Sequence, residues 1–234
     1  IPGTLVTFEL IHVAGATVTM PDSTTVKVEP FYIGRTEVTW DMYDAFVLGL
    51  ERPPARGADA IARPSEPYGA PDYGWGHAGY PVISVAHTAA QAFCRWLSTV
   101  TGKRYRLPTE AEWLLAARYA AGSAQLTPER LDALAWHREN AGAQTHPVGR
   151  KQPDHLGVFD LFGNAAEWVL VADGKPVVRG GSFRDPRSAV GPSAHAVQTA
   201  AWNQRDPQNP KSTWWLSDAP FAGFRIVRDP DPAR

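Results

Sequence analysis

Turn-forming residues set the first limit on this chain. Its 234 residues include 20 glycines and 21 prolines, spread so that long regular elements are interrupted almost everywhere. Glycine reaches backbone conformations closed to other residues, and proline removes a hydrogen-bond donor, so turns and irregular loops must be plentiful. No convincing linker divides the chain, and no repeat with a period of about 20 to 50 residues appears. A single domain over 1–234 is expected, a length that one core can serve.

Within that frame the regular elements are short and ordered in type. Leu5, Thr7 and Glu9 alternate with Val6, Phe8 and Leu10, and the β-branched and aromatic pattern continues through Thr17-Val18-Thr19, Val26, Val28, Phe31 and Ile33, so the first 33 residues read as strands. Trp40, Tyr43, Val47 and Leu50 predict a helix over 39–50 with Thr39 as its N-cap. A loop rich in proline and glycine follows over 52–80; its Tyr68, Tyr73, Trp75 and Tyr80 argue for a structured excursion. Ala89, Phe93, Leu97 and Val100 predict a second helix over 88–100, closed by Gly102. Thr109-Glu110-Ala111-Glu112 is a capping box that opens a third helix running to about Ala120. The remainder reads as loops with short strands at Val177-Val178-Arg179 and Phe224-Arg225-Ile226-Val227. Strands, then helices, then loop-rich strands make an α+β order rather than alternating βαβ units.

Charge narrows the function classes. Lysine and arginine total 23 against 24 acidic residues, so no basic excess drives nucleic-acid binding and no nucleic-acid partner is expected. No apolar stretch reaches the roughly 18 residues of a membrane-spanning helix. The only cysteine is Cys94, which excludes an intrachain disulfide and any metal site that needs two thiolates. The chain begins at Ile1 and its first methionine is Met20. That reads either as a removed leader, placing the protein outside the cytoplasm, or as trimming, which leaves the cytoplasm open.

Four segments carry a family resemblance. Tyr105-Arg106-Leu107-Pro108-Thr109-Glu110-Ala111-Glu112-Trp113, the run from Gly157 to Trp168 containing Gly163-Asn164-Ala165-Ala166-Glu167-Trp168, Arg179-Gly180-Gly181-Ser182-Phe183 and Gly223-Phe224-Arg225-Ile226-Val227 resemble, in order, the hallmarks of the formylglycine-generating enzyme, or sulfatase-modifying factor, family. The resemblance spans about Val13 to Val227. It implies that family's variant of the C-type lectin fold, α+β with little regular secondary structure. It also implies calcium held by Asp160, Gly163, Ala165 and Glu167, with Gly163 and Ala165 offering backbone oxygens; a hard cation suits such oxygen donors. A second calcium near Asn140 is not predicted, because no acidic residue follows it before His146-Pro147-Val148-Gly149.

The resemblance also implies a chemistry that this chain lacks the parts for. The namesake enzymes oxidise a substrate cysteine with copper(I) held by two C-terminal cysteines, soft ligands for a soft ion. Here the corresponding stretch, Ser193 to Thr199, contains no cysteine, so no copper is expected. Another branch of the family uses non-haem iron on three histidines, part of them in an additional helical domain. Seven histidines are present, and His137-Arg138-Glu139 has the spacing of a facial triad that needs a further histidine.

Nine tryptophans point instead to recognition. Trp, Arg and amide side chains cluster between Trp202 and Trp215, a composition enriched at binding surfaces. Trp202, Asn203, Arg205, Trp214, Trp215 and Asp218, with His195 nearby in sequence, are the candidate ligand-binding residues. The favoured expectation is a non-catalytic binding or assembly module recognising a peptide, glycan or protein partner. The alternative is a metal-dependent oxidoreductase of the same family using a site other than a cysteine pair.

Overall fold

The computed structural model describes residues 1–49, 69–123, 126–171, 176–205 and 214–231. Most of the expected loop over 52–80, with Tyr68, lies outside the described residues, as do Leu50 and the stretch 206–213. Ten strands and four α-helices are described, in the order β1 (Leu10–Val13), β2 (Ala16–Thr19), β3 (Thr25–Val28), β4 (Phe31–Gly34), α1 (Trp40–Val47), α2 (His87–Thr101), β5 (Tyr105–Arg106), α3 (Glu110–Ala121), α4 (Pro128–Leu134), β6 (Ala166–Val169), β7 (Val177–Gly180), β8 (Gly191–Val197), β9 (Ala222–Gly223) and β10 (Val227–Arg228). The architecture is α+β with little regular structure, as expected.

Local signals explain the first three helices. The Thr39 side chain accepts from the Met42 N–H and starts α1. Ala89, Phe93 and Leu97 turn one face of α2 inward, and Gly102 caps it in the left-handed conformation. At α3 the capping box is complete: Thr109 accepts from the Glu112 N–H while the Glu112 carboxylate accepts from the Thr109 N–H. Arg106 then grips the same carboxylate at 2.6 Å, tying β5 to the helix start.

Three sheets arrange these elements. The first has strand order β1-β4-β10-β5, all antiparallel, so Ile33 in β4 sits between Ile11 and Val227. This pairing closes the N-terminal strands onto the C-terminal one. The second is the β2–β3 hairpin, and the third has the order β8-β7-β6-β9, with β9 parallel to β6. The core lies between these layers. Tyr43, Phe46, Phe93 and Phe224 interlock around α1 and α2, and Trp113, Phe31, Ile33 and Phe162 do so around α3. Cys94 is buried there, and burial pushes its thiol well above the ordinary value. It packs as a small apolar group.

Two sequence expectations change. Val6, Phe8 and Leu10 do turn inward while Leu5, Thr7 and Glu9 face solvent, yet the strand begins only at Leu10. Its partner β4 ends at Gly34, opposite Leu10; the Arg35 N–H still donates to the Glu9 carbonyl at 2.9 Å, and the paired ladder does not extend to Leu5–Phe8. Phe224–Val227 is likewise not one strand. The chain leaves the third sheet after Gly223, passes through Phe224, Arg225 and Ile226, and enters the first sheet at Val227. Arg225 therefore sits where the two sheets meet.

Candidate functional site

That meeting point is a buried polar hub. Arg225 and Glu167 are both fully buried. Arg225 donates through Nε and Nη2 to Glu167 Oε1 at 2.9 and 2.7 Å, through Nη1 to the Gly34 carbonyl at 2.7 Å and through Nη2 to the Phe159 carbonyl at 2.8 Å. The second Glu167 oxygen accepts from Trp113 Nε1 at 2.9 Å. Glu37 stands beside it, accepting from the Ala165 N–H at 3.1 Å and from Asn164 Nδ2 at 3.4 Å. Asp160 accepts from the Gly149 N–H through Oδ2 at 2.7 Å, while its Oδ1 is buried without a partner. Three buried carboxylates thus share one guanidinium. Burial raises all three carboxyl groups, Asp160 to about 6, and the charge of Arg225 opposes the rise.

Gly163 holds the hub's loop against its neighbour. Its φ is +77°, and a Cβ there would lie 2.2 Å from the Trp136 carbonyl oxygen, so only glycine fits. Of the four expected calcium ligands, Asp160 keeps an open oxygen and Glu167 has both oxygens engaged. Among the described residues, no three His, Cys, Asp or Glu side chains converge as a ready metal centre. The expected set of two carboxylates and two carbonyls is a different donor set. Charge excess and the open Asp160 oxygen fit a cation at this place.

His137 fills a different role from a metal ligand. It is completely buried, its Nε2 lies 2.7 Å from Asp132 and its Nδ1 2.9 Å from Glu139. Both ring nitrogens are therefore spent inside the protein. Asp132 also binds Arg187 at 2.8 Å, which ties α4 to the segment before β8.

A second polar site is built at the start of α2. The Ala86 N–H donates to the Trp215 carbonyl at 2.6 Å, and the Ser217 N–H to the Ser84 carbonyl at 2.8 Å, so the C-terminal stretch is stitched along the approach to the helix. Next to it lies a cavity of about 250 Å³, lined by Ala86, His87, Thr88, Gln198, Trp202 and Trp214 among others. Trp202 packs against Trp168 and Phe221, with ring centroids 5.5 and 5.0 Å away. The His87 ring meets Trp168 edge-on at 5.6 Å. His87 Nε2 and the Thr88 hydroxyl are both buried and have no hydrogen-bond partner. Burial holds the imidazole below its ordinary pKa, against a hydrogen bond to the Val169 backbone.

Residues 7–230 match the family described as the sulfatase-modifying factor enzyme 1-like domain. The chain belongs to that family. It is similar to the formylglycine-generating enzyme of Mycobacterium tuberculosis, with 39% identity over 106 residues, 39% of this chain and 33% of that enzyme. The formylglycine-generating enzyme of Streptomyces coelicolor is 30% identical over 190 residues, 62% of this chain and 58% of its own length. The chain thus spans less than two thirds of either relative. Among solved structures, PvdO from Pseudomonas aeruginosa has the same fold, with a TM-score of 0.69 over 94% of each chain at 23% identity.

For this sulfatase-modifying-factor-like chain, the structure brings together only part of the expected binding set. Trp202, Asn203 and Trp214 line the cavity. Trp215 points into the core against Ala86 and Ala89. Asp218 pairs with Arg205 at 2.8 Å and accepts from the Gln204 and Arg205 N–H groups, so these two residues staple the loop to itself. His195 is exposed on β8 opposite Arg179 and borders a groove beside the β2–β3 hairpin instead. Sequence reasoning missed His87, Thr88 and Gln198 in the cavity, and Glu37 in the hub. A His-Thr pair at a helix start that no side chain caps was the available signal for the first two. Glu37, between two segments with apolar spacing, gave none.

Proposed function

We propose that this chain is a binding module of its family, holding a peptide, glycan or protein partner at the cavity beside α2 without oxidising it. One observation carries this reading: the cavity beside α2 is lined by Trp202 and Trp214 together with His87, Thr88 and Gln198, indole rings next to polar side chains. Aromatic and polar side chains together are a composition enriched at binding surfaces. The tryptophans offer apolar area, and the Gln198 amide offers a donor and an acceptor at the cavity. The absence of thiolate chemistry supports the same reading. The only sulfhydryl, Cys94, is protonated and closed inside the core, whereas thiolates are the nucleophiles and soft-metal ligands.

Calcium belongs to this reading as a structural ion. Asp160, with the backbone oxygens of Gly163 and Ala165, would hold it, and Glu167 would join by exchanging one of its present bonds. The ion would supply positive charge to a hub that has three carboxylates and one guanidinium. Calorimetric titration of chelator-treated protein with calcium is expected to show one saturable site that Asp160→Asn weakens; no uptake at millimolar calcium would remove calcium from the reading.

The direct test of the binding reading pairs chemistry with binding. Incubation with a cysteine-bearing peptide in air, followed by mass spectrometry, is expected to leave the peptide unchanged. Elemental analysis is expected to find neither copper nor iron in stoichiometric amount. A panel of small neutral ligands is expected to give saturable binding that Trp202→Ala and Trp214→Ala abolish while the fold persists. Conversion of the peptide cysteine, or a stoichiometric redox metal, would establish the oxidoreductase alternative.

A further inference from the structure

The third sheet ends in an open strand. Its order is β8-β7-β6-β9, so β8 pairs with β7 on one side and, among the described residues, with no strand on the other. The opposite edge, β9, is two residues long, whereas β8 runs for seven. In an antiparallel pair, successive residues turn their backbone N–H and C=O alternately toward the neighbouring strand and away from it. The Gln198 N–H donates to the Pro176 carbonyl at 2.8 Å, which sets the phase. Ala196 also faces β7, and His195 and Val197 turn their backbone groups outward. Both of these residues are exposed. Sheets commonly guard such an edge with charged side chains, but Gly191–Val197 contains no Lys, Arg, Asp or Glu.

The two faces of β8 differ. His195 and Val197 border a groove of about 830 Å³ beside the β2–β3 hairpin, where Val26 and Val197 are large apolar side chains left exposed. Glu110 and Arg179 in that groove pair with each other, and Asp22 adds a negative charge to it. On the other face, Ala194 and Ala196 border a smaller cavity of about 130 Å³ together with Arg184 and Phe221. The Arg184 guanidinium lies over the Phe221 ring and makes no ion pair among the described residues. Its acidic neighbour Asp185 accepts from the Ser182 N–H and hydroxyl instead, at 2.8 and 2.7 Å.

We propose that β8 is a docking edge for an extended segment of a partner protein, added as a further strand, with acidic side chains toward Arg184 and apolar ones toward the groove at Val197. A strand added to an edge gains main-chain hydrogen bonds along its length and specificity from its alternate side chains, and that alternation matches the two faces of β8. The small side chains of Ala194 and Ala196 leave room for a glutamate to extend over them toward the guanidinium, while Asp22 disfavours an acidic group on the opposite face. This edge is separate from the cavity beside α2, and docking here does not require that cavity to be occupied.

NMR on the intact protein tests the edge by following its amide signals during titration with a blocked seven-residue peptide of alternating valine and glutamate, free of cysteine. Shifts are expected first at His195 and Val197. Lysine in place of the glutamates is expected to weaken binding about tenfold, and Arg184→Gln to remove most of that preference. Two further peptides carry N-methyl groups on complementary sets of alternate amides. One is expected to lose binding and the other to keep it, because only one set faces β8. His195→Pro removes an outward N–H, a change that an edge strand tolerates, and is expected to weaken binding about tenfold. Equal binding of the glutamate and lysine peptides would overturn the acidic occupant. Shifts confined to other elements, equal behaviour of the two methylated peptides, or no binding by any peptide would overturn β8 as a docking edge.

Discussion

The hub around Arg225 and the cavity beside α2 are made of similar parts. Both set polar side chains beside tryptophan rings next to the third sheet, the hub fully buried and the cavity lined by half-exposed residues. They differ in how the polar atoms are met. In the hub, Arg225, Glu167, Trp113 and Glu37 find partners within the protein, and one carboxylate oxygen of Asp160 is the exception. In the cavity, His87 Nε2 and the Thr88 hydroxyl find none. Matched polar groups hold the fold together; unmatched ones lower its stability.

Substitutions should separate the two regions by size and by kind of effect. Arg225→Met leaves Glu37 and Glu167 buried with no cation and Asp160 with only the charge of Lys151, so urea unfolding is expected to show a loss of about 3–5 kcal/mol. Arg225→Lys should recover little of it, because an ammonium cannot span Glu167 and the Gly34 and Phe159 carbonyls as a fork does. Gly163→Ala comes next: a positive φ and the Trp136 carbonyl oxygen both resist a Cβ, for about 1–3 kcal/mol from the backbone alone. A loss under about 0.5 kcal/mol would mean that the loop carrying the hub is not held there.

Smaller effects sharpen the contrast further. Burial alone would raise the Glu112 carboxyl, but the Arg106 guanidinium and the Thr109 N–H hold it below the ordinary range. Its contribution is therefore complete above the unfolded-state value of about 4.3 and disappears as pH falls through the lower folded value. Glu112→Gln is expected to cost about 1–2 kcal/mol near neutrality, and the gap between the two urea midpoints should close on acidification. A gap that widens at low pH would contradict the pairing. Thr88→Val stands at the far end with the opposite sign: it removes a buried hydroxyl that has no partner, so stability is expected to rise by about 1 kcal/mol, while His87→Phe gains less because it also gives up the bond to the Val169 backbone.

Legibility in the sequence followed the same divide between local and assembled features. The starts of α1 and α3 were readable because Thr39 and the Thr109–Glu112 box act on their own helix. The family segments located the hub's Asp160, Gly163, Glu167 and Arg225, though not the bond from Arg225 to Glu167, which depends on a sheet-to-sheet crossing. Glu37 gave no signal, since its partners lie more than a hundred residues away. β8 was hidden because Gly191-Pro192-Ser193-Ala194-His195 has weak strand propensity and gains its pairing from β7. In the C-terminal stretch, composition marked the region but not the direction of each side chain: Trp202 and Trp214 reach the cavity, and Trp215 turns into the core. Whether His87 and Thr88 are satisfied is decided by Val169, Trp202 and Trp214, and no local pattern records it.

The most direct measurement is made on one protein carrying both His87→Phe and Thr88→Val. Its urea midpoint and its binding of the neutral ligands that the parent takes up are recorded side by side. A higher midpoint together with lost binding is the expected result. A lowered midpoint with binding intact would mean that these side chains serve the fold, and that the cavity beside α2 is not where this protein meets its ligand.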